Sequence, residues 1–147
     1  MIEMAVLLPV MAMLLVGMVQ FAQITYTYYV LQKIVYGTAT YLSAQQGVDF
    51  CDAGDAQIGA AINFGISGSV DGSQPAIVGG LRSDMIQVQA EDASGGAWCT
   101  GGNAPLPPAS IVVSIPDGYP FQIAIPFFPA FDPIPLKPQF RSPYGGT

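Results

Sequence analysis

The amino-acid sequence predicts an α+β chain in three parts. A long N-terminal hydrophobic α-helix (1–47) leads into a small exported head with an antiparallel β-sheet (48–125), and a Pro-rich C-terminal tail (126–147) follows. Three observations predict this order. Between Glu3 and Lys33 lie 29 consecutive residues without a formal charge. Short runs of period-two hydrophobicity appear only beyond residue 84, and the last 23 residues hold six prolines, too many for a helix or a central strand.

The helix comes first. A spanning helix needs about 20 apolar residues for a hydrocarbon core of about 30 Å. At about 1.5 Å per residue, an uncharged helix from 4 to 32 is about 43 Å long, enough to cross a bilayer and emerge. A signal peptide is the rival reading, but such peptides carry a basic n-region and a shorter apolar run, and here the n-region holds Glu3 and neither Lys nor Arg. The first half is apolar all round, as a membrane or buried helix is. The second half, "TYTYYVLQKIVYGTATYLSAQQG", is amphipathic, with Tyr26, Tyr29, Lys33 and Tyr36 stepping by three or four along one face. The helix is expected to end near residue 46, with Gly47 as its C-cap. Pro9 within it is tolerable in a membrane or bundle, and Gly17 is a place where another backbone can come close.

In the head, "DAQIGAAINFG" (55–65) reads as a short amphipathic helix. Ile86, Val88 and Ala90 alternate in one strand, Ile111, Val113 and Ile115 in a second, and Phe121, Ile123 and Ile125 in a third. Asp117-Gly118 signals a turn, so the last two are expected to form a hairpin, in a sheet packed against the long helix. The tail carries Phe127, Phe128, Phe131 and Phe140, too apolar for a solvated linker. It is expected to pack against a neighbour, chiefly another subunit.

Charge and residue types narrow the function. Ten acids against four bases give a net charge of −6, the opposite of a nucleic-acid footprint. The chain has no histidine, so His-based triads and the commonest zinc sites are not available to it. Its glycine pairs read as turns, and no phosphate-binding or dinucleotide fingerprint occurs. Asp49, Asp52 and Asp55 recur every three residues but lack the ligand ladder of a calcium loop, and a solvated helical face is the expected reading. Neither a metal nor a cofactor is expected, and no catalysis. Cys51 and Cys99, both beyond the apolar run, suggest one disulfide; two unpaired buried thiols are the alternative.

The opening "MIEMAVLLPVMAMLLVGMVQF" resembles the N-terminus of the TadE-like pseudopilins of tight-adherence pili, within the type IV filament superfamily. The matching positions are Glu3, Met4, Ala5, Pro9, Gly17 eight residues later and Phe21 four beyond that. In that family the acid is commonly the fifth mature residue. Here it is the third, so the chain is expected either to lack two residues at its processed end or to be cut differently. The resemblance implies a pilin-like fold and a structural role in a homo-oligomeric helical filament for surface attachment. It implies an inner-membrane stage, handling by a pilus assembly machinery, and a final extracellular location. Assembly would rest on Glu3, Pro9, Gly17 and Phe21, with Glu3 meeting a neighbour's N-terminal amine. A minor pseudopilin that does not polymerise, and a bitopic protein with an exported binding domain, remain the alternatives.

Overall fold

The computed structural model describes residues 2–100, 107–123 and 132–145, with the backbone alone for residues 2–6 and Thr100. Helix α1 (Ile2–Ser43) is 42 residues long and changes role along its length. Beyond residue 30 one face is buried: Leu31, Ile34, Val35, Thr38, Ala39 and Leu42. This three-and-four spacing makes a single stripe, and the stripe is the spine of the head.

Helix α2 (Ala56–Ser67) lies against it. Asp55 caps its N-terminus by accepting from the Gln57 amide at 2.7 Å, and Gly68, at φ 76°, closes the other end with its amide on the Phe64 carbonyl. Ile58, Ala61, Ile62 and Ile66 face the core. Gly65 lets the helices touch: a Cβ there would overlap the Thr38 hydroxyl and come within 3.2 Å of the Ile34 carbonyl oxygen.

On another side of α1 lies an antiparallel sheet of order β1-β2-β5, from β1 (Gln87–Glu91), β2 (Ser110–Ser114) and β5 (Gln139–Pro143). Ala90 opposes Ile111, and Val113 opposes Phe140. Ile86, Ala90, Ile111, Val113 and Ile115 are buried, as their alternation predicts. Val112, on the other face, is buried as well. Arg141 reaches across the sheet to pair with Glu91.

Three expectations are corrected. The hairpin from β2 to 121–125 does not form. Gly118 turns the chain at φ 82°, but β3 (Tyr119–Phe121) pairs with β4 (Ile134–Leu136) in a separate ribbon. Both sides of β2 are occupied by β1 and β5, and Pro120 sits opposite Pro135, so this ribbon could not lie inside a sheet. Phe121 is in β3 and Ile123 lies beyond it, while Ile125 is outside the described residues.

The second correction concerns residues 132–145, expected to be ordered by other subunits. They supply β4 and β5 to this chain's own fold, and Pro138 is fully buried. Phe127, Phe128 and Phe131 lie outside the described residues. The third is the end of α1, which stops at Ser43 and not near residue 46, so Gly47 is not its C-cap. There the tail closes it: the Gly145 amide donates to the Ser43 carbonyl at 3.1 Å, and the Tyr144 hydroxyl donates to the Gln45 carbonyl at 2.9 Å. Carbonyls left open at a helix end need such donors.

Candidate functional site

From residue 7 to residue 30, α1 has no buried side chain. Exposure runs all round it: Leu8 is 70% exposed, Met18 69% and Phe21 72%. An apolar helix surface exposed in this way is of the kind that lipid or other helices cover. From Leu7 to Ser43 it is long and apolar enough to cross a membrane.

The four assembly candidates fall on this stalk. Glu3 lies in the first turn of α1, and its side chain is outside the described residues. The helix runs through Pro9, which has no amide for the Ala5 carbonyl four residues back. Gly17 floors a shallow notch walled by Val10, Met13, Leu14, Met18 and Phe21. A Cβ on Gly17 would meet nothing within 4 Å, so no contact inside the chain requires glycine there. By helical periodicity positions 3, 17 and 21 fall within about 40° of one another, while position 9 lies well off that line.

Above the stalk comes an aromatic band. Tyr26, Tyr29, Lys33 and Tyr36 are exposed, with the Lys33 ammonium 5.8 Å from the Tyr29 ring centre. Tyr36 meets Phe140 edge-on at 4.8 Å. Of this band, Tyr26 and Lys33 line a cleft with Phe64, Ile77, Val78, Tyr119 and Phe121 of the head. Of these, sequence reasoning missed Ile77 and Val78, whose only signal is a short aliphatic pair in a Gly-, Ser- and Pro-rich loop.

The disulfide suggested by cysteine count is present: Cys51 and Cys99 are bonded, with Cα atoms 5.5 Å apart. It ties the α1–α2 connection to the β1–β2 connection, across 48 residues.

Asp49, Asp52 and Asp55 do not form a helical face, because the chain turns through this region before α2. Asp49 accepts from the Cys51 amide, Asp52 from the Gly54 amide, and Asp55 caps α2. Among the described residues no cluster of His, Cys, Asp or Glu is arranged to hold a metal. Two other turn acids titrate low. The Ser69 hydroxyl, followed by the Ser73 amide and hydroxyl, holds Asp71 below the ordinary aspartate value of 3.8. The Ser94 hydroxyl and then the Gly96 amide do the same for Asp92.

The stalk also carries a family match. The profile of the TadE-like protein family matches residues 1–40. Residues 1–40 are TadE-like. The match covers the bare stalk and most of the helical turns that enter the head, and it stops three residues short of the end of α1. No curated protein and no solved structure gives a significant match to the chain.

Proposed function

We propose that the chain is a structural subunit of a tight-adherence, type IV-like pilus, and that its work is assembly, with no reaction catalysed. One observation carries the reading: a TadE-like helix that buries nothing from residue 7 to residue 30, yet whose remainder is the core of a folded head. A head so built is fixed to its stalk, and pulling on one moves the other.

Before assembly the stalk lies in the inner membrane and the head outside it. After extraction by the assembly machinery, stalks of successive copies bundle into a helical homopolymer that carries the heads to the cell surface for attachment. Lipid tails are about as apolar as leucine, so moving the stalk from bilayer to bundle changes the hydrophobic term little. Packing and charge must therefore select the bundle. The Gly17 notch admits a neighbouring backbone, with Phe21 as the adjoining knob. Glu3 pairs with the N-terminal amine of the next copy. Two unit charges about 4 Å apart attract by about 4 kcal/mol at an effective dielectric constant of about 20. Leaving either one unpaired in an apolar core costs several kcal/mol.

Glu3→Ala tests this. Insertion depends on the apolar run, so the membrane-bound amount should match wild type. The yield of sheared filaments should fall at least tenfold, since about 1.4 kcal/mol lost per subunit contact already gives that factor. Glu3→Asp, which keeps the charge on a shorter arm, should be intermediate. A wild-type filament yield from Glu3→Ala would reduce the acid to a helix end and leave the stalk as a simple anchor.

A further inference from the structure

The lower rim of the head raises a separate question. Ile77 is 61% exposed, although it is apolar and held in place. Its amide donates to the Ile66 carbonyl at 2.9 Å, and two residues on, the Gly79 carbonyl accepts the Tyr119 hydroxyl at 2.6 Å. With Val78 and Phe121 these residues form a fixed apolar lip. The lip faces α1 at Tyr26, Thr27 and Val30.

That level on the helix has a meaning. Counting about 20 residues from the end of the charged tip places the far edge of the hydrocarbon near residue 23. The headgroup zone is about 5–8 Å deep on each side, which is about three to five further helical residues. Residues 24 to 28 therefore cross it, and Tyr26 and Tyr28 stand exposed there, with Tyr29 one residue beyond. Tyrosine is the side chain that favours this zone. Among the described residues the adjoining cleft holds one cation, Lys33, and no acid. Lys33 stands about 7.5 Å above the zone, within a Debye length of about 8 Å, so anionic lipid attracts it.

We propose that the lip around Ile77, with Tyr119 and Phe121, rests in the headgroup zone of the bilayer that α1 spans. The head is then seated on the membrane before assembly, not held above it on a free stalk. This rests on the reading of α1 as a membrane span. The seat orients the sheet and the disulfide away from the lipid, and it covers an apolar surface that would otherwise meet water.

Depth-dependent fluorescence quenching tests it on the full chain in anionic vesicles containing lipid brominated at shallow or deep acyl positions. Trp98→Phe removes the one native tryptophan. Into that background go Leu14→Trp in the stalk, Ile77→Trp on the lip and Ala93→Trp on the opposite end of the head. Ala93 lies beyond Glu91, whose carbonyl accepts the Ala109 amide, at the end where α1 stops. Gly79→Trp is a second lip variant, at a place where an added Cβ meets nothing within 4 Å. We expect quenching of Leu14→Trp by deep bromine, of both lip variants by shallow bromine with a blue-shifted emission, and no quenching of Ala93→Trp. Quenching of Leu14→Trp without either lip variant overturns the seat and leaves the anchor standing. No quenching of Leu14→Trp removes the anchor and the seat together. Lip variants indifferent to lipid but blue-shifted in sheared filaments assign the lip to a second copy of the chain, which also overturns the proposal.

Discussion

Gly65→Ala isolates the contact that joins stalk to head. The added methyl would overlap the Thr38 hydroxyl and lie 3.2 Å from the Ile34 carbonyl oxygen, in a place where Thr38 is fully buried and its hydroxyl is committed to Ile34 at 3.0 Å. Neither group has space to retreat, and overpacking of this kind costs about 1–3 kcal/mol. Alanine regains about 1 kcal/mol of helix propensity, so a net loss of about 1–2 kcal/mol is expected. Gly59 is the internal control: it is in the same helix, and a Cβ there meets nothing within 4 Å. Gly59→Ala should therefore stabilise by up to about 1 kcal/mol. In a Thr38→Ala background the Gly65→Ala loss should largely vanish, giving a coupling of about 1–3 kcal/mol in the double-mutant cycle. Urea unfolding of the full chain in mild detergent, followed by Trp98 fluorescence, measures all of these. Equal stability of Gly65→Ala and Gly59→Ala, or no coupling to Thr38, would refute the close crossing of α1 and α2.

Three further outcomes are expected. Intact-mass analysis without reductant should find one chain two hydrogens lighter than the reduced form, and Cys51→Ser with Cys99→Ser should lose up to about 4 kcal/mol of stability; alkylation of both thiols before reduction would contradict the bond. Ending the chain after Asp132 removes β4, β5 and the Tyr144–Gly145 cap, so the monomeric head should unfold by circular dichroism; a folded truncated head would return the tail to other subunits. The Asp92 carboxylate, held below 3.8 by the Ser94 hydroxyl and the Gly96 amide, should titrate there by nuclear magnetic resonance. Its folded value is depressed, so its support of the 92–96 turn is present above the ordinary aspartate range and lost as pH falls through the folded value. A midpoint at or above 3.8 would contradict that geometry.

The parts legible in the sequence were those written in short-range pattern. An uncharged apolar run is one-dimensional information, so the stalk could be seen directly. The alternation of Ile86, Val88 and Ala90, and of Ile111, Val113 and Ile115, showed which faces are buried. The amphipathic segment 55–65 located α2, while the capping role of Asp55 emerged only from the structure. Partner choice was not legible. In "QFRSP" only Phe140 and Ser142 turn inward, and Arg141 and Pro143 obscure the period, so β5 had no strand signal of its own. Its place beside β2 depends on residues 25 or more positions away. The Asp117-Gly118 turn was real, but the pairing assumed across it failed because Pro120 bars β3 from the sheet. Gly65 looked like any small residue in a helix until Thr38 was found beneath it. At the stalk, Gly17 and Phe21 came from the family resemblance, and the structure adds that nothing among the described residues uses the notch between them.

The central claim is that the bare TadE-like stalk becomes part of a filament. It is tested most directly by the protein content of sheared surface pili, measured by quantitative mass spectrometry beside electron microscopy of the same material. The account predicts this chain in the sheared fraction, disulfide-bonded, in pili from wild-type cells, and its loss from that fraction in Glu3→Ala cells that still hold it in the membrane. Complete pili that lack the chain, with all of it remaining in the membrane, would contradict the account and leave a bitopic anchor in its place.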